Sequence, residues 1–109
     1  MMRFLIVHIA RLPAAGMALF PFILVKRRAY KEDKVLINHE KIHLVQQLEL
    51  LVIFFYIIYL VHYAINLARY RNHQTAYRNI VFEREAFNMD SDLLYLKRRK
   101  LFAWRFFFR

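Results

Sequence analysis

Between Asn38 and Tyr70 the chain has neither glycine nor proline, and its central 19 residues, Leu50 to Ala68, carry no formal charge. Strands rarely exceed ten residues, so an unbroken apolar run of this length is most economically a helix. Asn38 stands where an N-cap would, with a short side chain able to accept a backbone N–H of the first turn. The sequence therefore predicts one helix over 38–70, with an apolar extension. The uncharged stretch approaches the roughly 20 residues that cross a bilayer, although His62, Asn66 and several tyrosines dilute it.

The flanks are punctuated differently. Arg11 and Pro13 divide an apolar N-terminal segment, residues 1–25. Arg11 inside the apolar stretch, and no small-residue cleavage signal before Lys26, argue against a cleaved signal peptide led by Met1-Met2-Arg3. An amphipathic anchor or a pair of short strands fits better. Phe22 to Val25 reads as a strand, Lys31 to Lys34 as a charged turn, and Val35 to Ile37 as a second strand or the lead-in to a helix. Arg69 to Asn79 is polar and irregular. Phe82, Ala86, Met89, Leu93 and Leu96 then share a helical stripe, predicting a second helix over 82–98. Residues 97–109 form a tail of basic and aromatic residues.

Composition removes many functions. At 109 residues there is room for one domain. Gly16 is the only glycine, so no phosphate-binding glycine loop can be written. Cysteine is absent, which eliminates disulfide scaffolds, thiol nucleophiles and cysteine metal sites. The net charge of +10 favours polyanionic neighbours. A mean hydropathy of +0.21 points to an anionic membrane surface and away from nucleic acid, which is not expected as a partner. The tail suits such a surface, because rings sit at headgroup depth and cations meet anionic lipid. The expected localisation is membrane-associated.

His39-Glu40-Lys41-Ile42-His43 carries the chemistry. Four residues are slightly more than one helical turn, so both imidazoles face one way and offer two zinc ligands. Glu40 lies on the adjoining face, where a carboxylate can act as general base toward an activated water. Chance produces such a pattern in roughly one to two per cent of shuffled chains of this length. A catalytic zinc wants a third protein ligand, and downstream of the first helix the carboxylates are Glu83, Glu85, Asp90 and Asp92.

At this point the sequence resembles the gluzincin branch of the zincin metallopeptidases, in which H-E-x-x-H on one helix is completed by a Glu on a later helix. The resemblance covers Val35 to Leu96. It implies a minimal zincin-like domain, mainly α with a small β element, in which His39, His43 and one later Glu hold a single zinc ion. In that family a small residue commonly lies three positions after the ligand Glu. Glu83 has Ala86 there and Glu85 has Asn88, which selects Glu83, whereas helical phase favours Glu85 as the alternative. The implied activity is that of a membrane-associated metallopeptidase acting on a peptide or protein.

A zinc site makes His43 meet a residue 40 positions later, so Leu50 to Ala68 cannot simply cross a bilayer and leave Glu83 on the far side. A helix out to Tyr70 with an extended return through Arg69 to Asn79 satisfies the distances, at about 40 Å each way. Tyr77, His73 and His62 are candidate oxyanion donors, although a packed or interfacial aromatic is the favoured reading of each, and Gln46, seven residues after His39, is expected to solvate that face, with a place bordering the metal pocket as the alternative. Little sequence remains for a cleft. It is either shallow, shared with a second copy or a partner membrane protein, or lined by Phe22 to Val25 acting as an edge strand. The competing reading is a non-catalytic, basic membrane-interface or structural protein in which the His-Glu-His array is incidental.

Overall fold

The computed structural model describes residues 4–108. The reading of Met1 to Arg3 as an n-region, and of Arg109 as part of the tail, falls outside them. The protein is mainly helical, about 60%, with one small sheet, as the sequence leads one to expect. Strands β1 (Leu5–His8), β2 (Gly16–Leu19) and β3 (Phe22–Val25) form the sheet in the order β1-β3-β2. β3 pairs in parallel with β1 and antiparallel with β2. Phe22 to Val25 is thus the central strand and not an edge, which corrects that expectation. Its alternation explains why: Ile23 and Val25 are fully buried on one face and pack on Ile37 and Leu44 of the first helix.

Helix α1 (Lys34–Glu49) starts earlier than the 38–70 reading, because Asp33 takes the N-cap and accepts a hydrogen bond from the Leu36 N–H at 3.1 Å. Asn38 lies inside the helix. There it is buried, and its amide donates to the carbonyls of Asp90 and Asp92 at 2.8 and 3.0 Å.

The long helix is also interrupted. Leu51 and Val52 adopt φ of 55° and 63°, a left-handed conformation unusual for such side chains, and the chain turns there into α2 (Ile53–Tyr70). No local residue requires this break. It brings Phe55, 3% exposed, against Ile80, Val81 and Phe82, and burial of this cluster offsets a backbone strain of about 1–3 kcal/mol per residue. α2 is long and apolar enough, by length and composition, to cross a membrane, yet only 11% of it is buried.

The return is helical where an extended segment was expected. Asn72 caps α3 (His73–Arg78) by accepting from the Thr75 N–H at 2.9 Å, and α4 (Val81–Met89) follows. The 82–98 helix ends at Met89, because Asn38 draws the Asp90 and Asp92 carbonyls into a turn before α5 (Tyr95–Arg98). Ala86, at 0% exposure, lets α4 pack against Ile42 of α1. In the tail, Ala103–Phe107 form a 3₁₀ turn that sets Trp104 and Phe107 against the Phe55 cluster.

Candidate metal centre

One turn of α1 presents His39 and His43, 5% exposed each, to α4. Both Nε2 atoms converge on a single oxygen, Glu83 Oε1, at 3.1 Å from His39 and 2.9 Å from His43. The ligand atoms of His39, His43 and Glu83 all lie within 4.8 Å of one another. This buried group could hold a metal ion. Two imidazoles and one carboxylate suit several first-row divalent metals, zinc among them.

The far nitrogens of both rings are tied down. His39 Nδ1 donates to Asp90 Oδ2 at 3.0 Å, and His43 Nδ1 to Gln46 Oε1 at 2.8 Å. The Gln46 amide has a single satisfying orientation, because its Nε2 faces two acceptors, the Phe82 carbonyl at 3.1 Å and Glu85 Oε1 at 2.9 Å. Its oxygen therefore faces His43 and makes Nδ1 the N–H, leaving Nε2 as the nitrogen that could meet a metal ion. Gln46 is fully buried and does not solvate that face, which corrects that expectation: it orients His43.

Glu85, the alternative third ligand, points elsewhere. Fully buried, it accepts from Gln46, from the Tyr95 hydroxyl at 2.6 Å and from the Arg99 guanidinium. Arg99 also meets Glu49 at 2.8 Å, so a buried arginine joins α1, α4 and the C-terminal segment beneath the histidines. Of the two carboxylates in Glu83-Arg84-Glu85, one faces the imidazoles and the other anchors the side chain that orients His43.

Tyr59 was the unforeseen participant. Its hydroxyl donates to Glu83 Oε2 at 2.7 Å, fixing the carboxylate so that Oε1 faces the histidines. The signal lay in Tyr56, Tyr59 and Tyr63, spaced three and four apart on one face of an otherwise apolar helix. Of the three oxyanion candidates, His62 is engaged: its Nδ1 accepts from the Val81 N–H at 3.0 Å and caps α4. His73 is exposed beside Tyr63, at 2.8 Å from its hydroxyl. Tyr77 packs edge-on against Phe87, whose ring also abuts His39. Burial and the nearby Glu83 charge push its phenol up, so it remains a hydrogen-bond donor.

Electrostatics separates the two central carboxyls. Burial opposes charge on Glu83, but the two imidazoles outweigh it and hold its pKa well below the usual carboxylate range. Burial likewise opposes charge on His43, yet Glu83 raises its pKa to about 9. Glu40 is 5% exposed, and burial pushes its carboxyl up despite the neighbouring histidines. Among the described residues no side chain hydrogen-bonds to it. On its other side lies Gly16, where a Cβ would sit 3.2 Å from Glu40 Oε2 and 3.3 Å from Leu36 Cδ1. The only glycine is needed here for close approach, not for an unusual φ. No family model, curated protein or solved structure matches the chain.

Proposed function

We propose that the protein is a zinc-dependent hydrolase, a minimal gluzincin-like metallopeptidase working at a membrane. The observation that carries this reading is the convergence of His39 Nε2, His43 Nε2 and Glu83 Oε1 beside a carboxylate, Glu40, that has no side-chain hydrogen bond among the described residues. The residues fit the ion, since they supply nitrogen and oxygen donors whose far sides are already oriented by Asp90, Gln46 and Tyr59. Zinc held there polarises a carbonyl and lowers the pKa of a water.

The chain's own residues do the rest. Glu40, with its raised proton affinity, takes a proton as the water oxygen bonds to the carbonyl carbon. It then delivers that proton to the nitrogen as the C–N bond breaks. Tyr77 offers its O–H to the oxyanion that develops between these events. A peptide fits the surroundings, because β2 is an outer strand that runs past Glu40 at Gly16. The Gln47 amide already pairs with this edge further along, donating to the Ala18 carbonyl at 2.8 Å and accepting from the Phe20 N–H at 2.9 Å. An extended substrate would continue the same pattern toward Gly16.

Metal content by mass spectrometry on the full chain tests the proposal. About one zinc per chain is expected, lost in His43→Ala and Glu83→Gln and kept in Glu85→Gln. No zinc in the wild type after resupply overturns it and leaves a non-catalytic membrane-interface protein. Because His43 must shed a proton whose pKa is about 9, zinc affinity should rise with pH by about tenfold per unit between 6 and 8. A flat titration would contradict the ligand role of His43.

Gly16→Val should separate catalysis from binding. Its Cβ would press on Glu40 Oε2, so hydrolysis is expected to fall by up to about 10²-fold with zinc content unchanged. Unaltered turnover would show that Glu40 is not held by this approach.

A further inference from the structure

The outward face of α2 has the opposite polarity to that of a helix facing water. Ile53, Phe54, Ile57, Leu60, Val61 and Ile65 recur at helical spacing, and each is more than half exposed. Between Ile53 and Asn66 the polar side chains of the same helix turn inward, where each finds a partner. The Tyr56 hydroxyl donates to the Ala18 carbonyl, Tyr59 to Glu83, and the Asn66 amide to the Ala76 carbonyl, while His62 accepts from Val81. A face with no polar group over more than three turns is matched by hydrocarbon.

Charge identifies the hydrocarbon as that of an anionic bilayer. The apolar stripe ends in Arg69 and Arg71, both exposed. The tail runs alongside, since the Phe108 ring lies 5.7 Å from that of His62. It leaves Phe106 and Phe108 exposed, with Arg105 stacked 4.6 Å over Phe106. Cations and aromatic rings beside an apolar face, in a chain of net charge +10, complement phosphate headgroups above acyl chains.

The partners of α2 decide its orientation. α3 packs back along it through Asn66 to Ala76 and Tyr63 to His73, bringing Arg71, His73, Gln74 and Arg78 to the same level with exposed side chains. Were α2 to run across the bilayer, those groups would enter the hydrocarbon with it. We propose that α2 docks flat on an anionic bilayer, its apolar stripe immersed in one leaflet and Arg69, Arg71 and Arg105 at the headgroups. The inference rests on the membrane reading above and specifies how the contact is made. It is independent of the zinc chemistry. The metal centre then sits on the side of α2 turned away from the lipid.

The absence of cysteine permits a direct test on the full chain. Single cysteines at Ile53, Ile57, Leu60 and Ile65 on the outer face, and at Gln74 on α3, carry an environment-sensitive fluorophore. Each is mixed with vesicles of phosphatidylcholine, with or without phosphatidylglycerol, and with lipids quenching at set depths. Flotation with the anionic vesicles is expected, with a blue shift and one common shallow depth for the four α2 labels and none for Gln74. Ile57→Glu with Leu60→Glu should weaken vesicle binding at least about tenfold. No flotation overturns the membrane reading itself. Flotation with depths graded along α2 overturns only the flat orientation, since a crossing helix places its ends and middle at different levels. Labels shielded without lipid, in a chain of dimeric mass, overturn the proposal in favour of a second copy.

Discussion

Replacing Glu40 by Gln is expected to lower peptide hydrolysis by about 10²- to 10⁴-fold while leaving about one zinc per chain. The substitution preserves shape in a site where the residue is 5% exposed, and it removes only the ability to accept a proton. His39, His43 and Glu83 lose no hydrogen bond by it, because among the described residues none of the three is bonded to Glu40. The fold should not suffer either. Burial raises the carboxyl's pKa, meaning that its charge is costly where it stands, so a neutral amide should leave the thermal midpoint equal or higher. Cleavage of a mixed peptide library, followed by mass spectrometry beside metal analysis, reads both quantities. Retained cleavage would remove Glu40 from the chemistry, and joint loss of zinc and cleavage would make its role structural.

The largest effect on stability is expected from Arg99→Met. Arg99, Glu49 and Glu85 have side chains 3%, 5% and 0% exposed, and Arg99 alone partners both carboxylates. Glu49 additionally accepts from the Phe102 N–H, and Glu85 from Gln46 and Tyr95. Removing the cation strands two buried negative charges, a change that costs about 3–5 kcal/mol, against total stabilities of about 5–15 kcal/mol. For a chain of this size that corresponds to a fall of more than about 12 °C in Tm. Adding Glu85→Gln removes one stranded charge and should recover part of the loss. The surface pair of Arg98 and Asp92 offers the contrast: their side chains are 58% and 34% exposed, and Arg98→Ala should change Tm by little. Equal effects of the two arginine substitutions would refute the buried network.

Local patterns made some of this legible. Two histidines at i and i+4 face one way on any helix, whereas the preference for Glu83 came from the family resemblance, through the small residue at 86, and helical phase alone favoured Glu85. The β3 strand was readable from Phe22 to Val25, as was the helical stripe beginning at Phe82. Tyr59 escaped notice because a tyrosine in an apolar run is ordinarily core or lipid contact. Its partner lies 24 residues away and comes into view once α2 folds back. The part played by His62 was hidden for a similar reason, since its cap on α4 joins two helices that share no local pattern.

Sequence by itself determined the chemistry on offer: helical spacing sets the His39–Glu40–His43 face, and the uncharged Leu50 to Ala68 run dictates an apolar helix. Tertiary structure decided which groups meet. The break at Leu51 and Val52 has no glycine to announce it and exists because packing of Phe55 on Phe82 outweighs backbone strain. The same packing sends Glu83 to the histidines and Glu85 to Arg99. Two carboxylates two positions apart, nearly identical in sequence terms, thereby end on opposite sides of one helix turn, because two helical steps of about 100° turn the chain by about 200° and α4 has a different neighbour on each side.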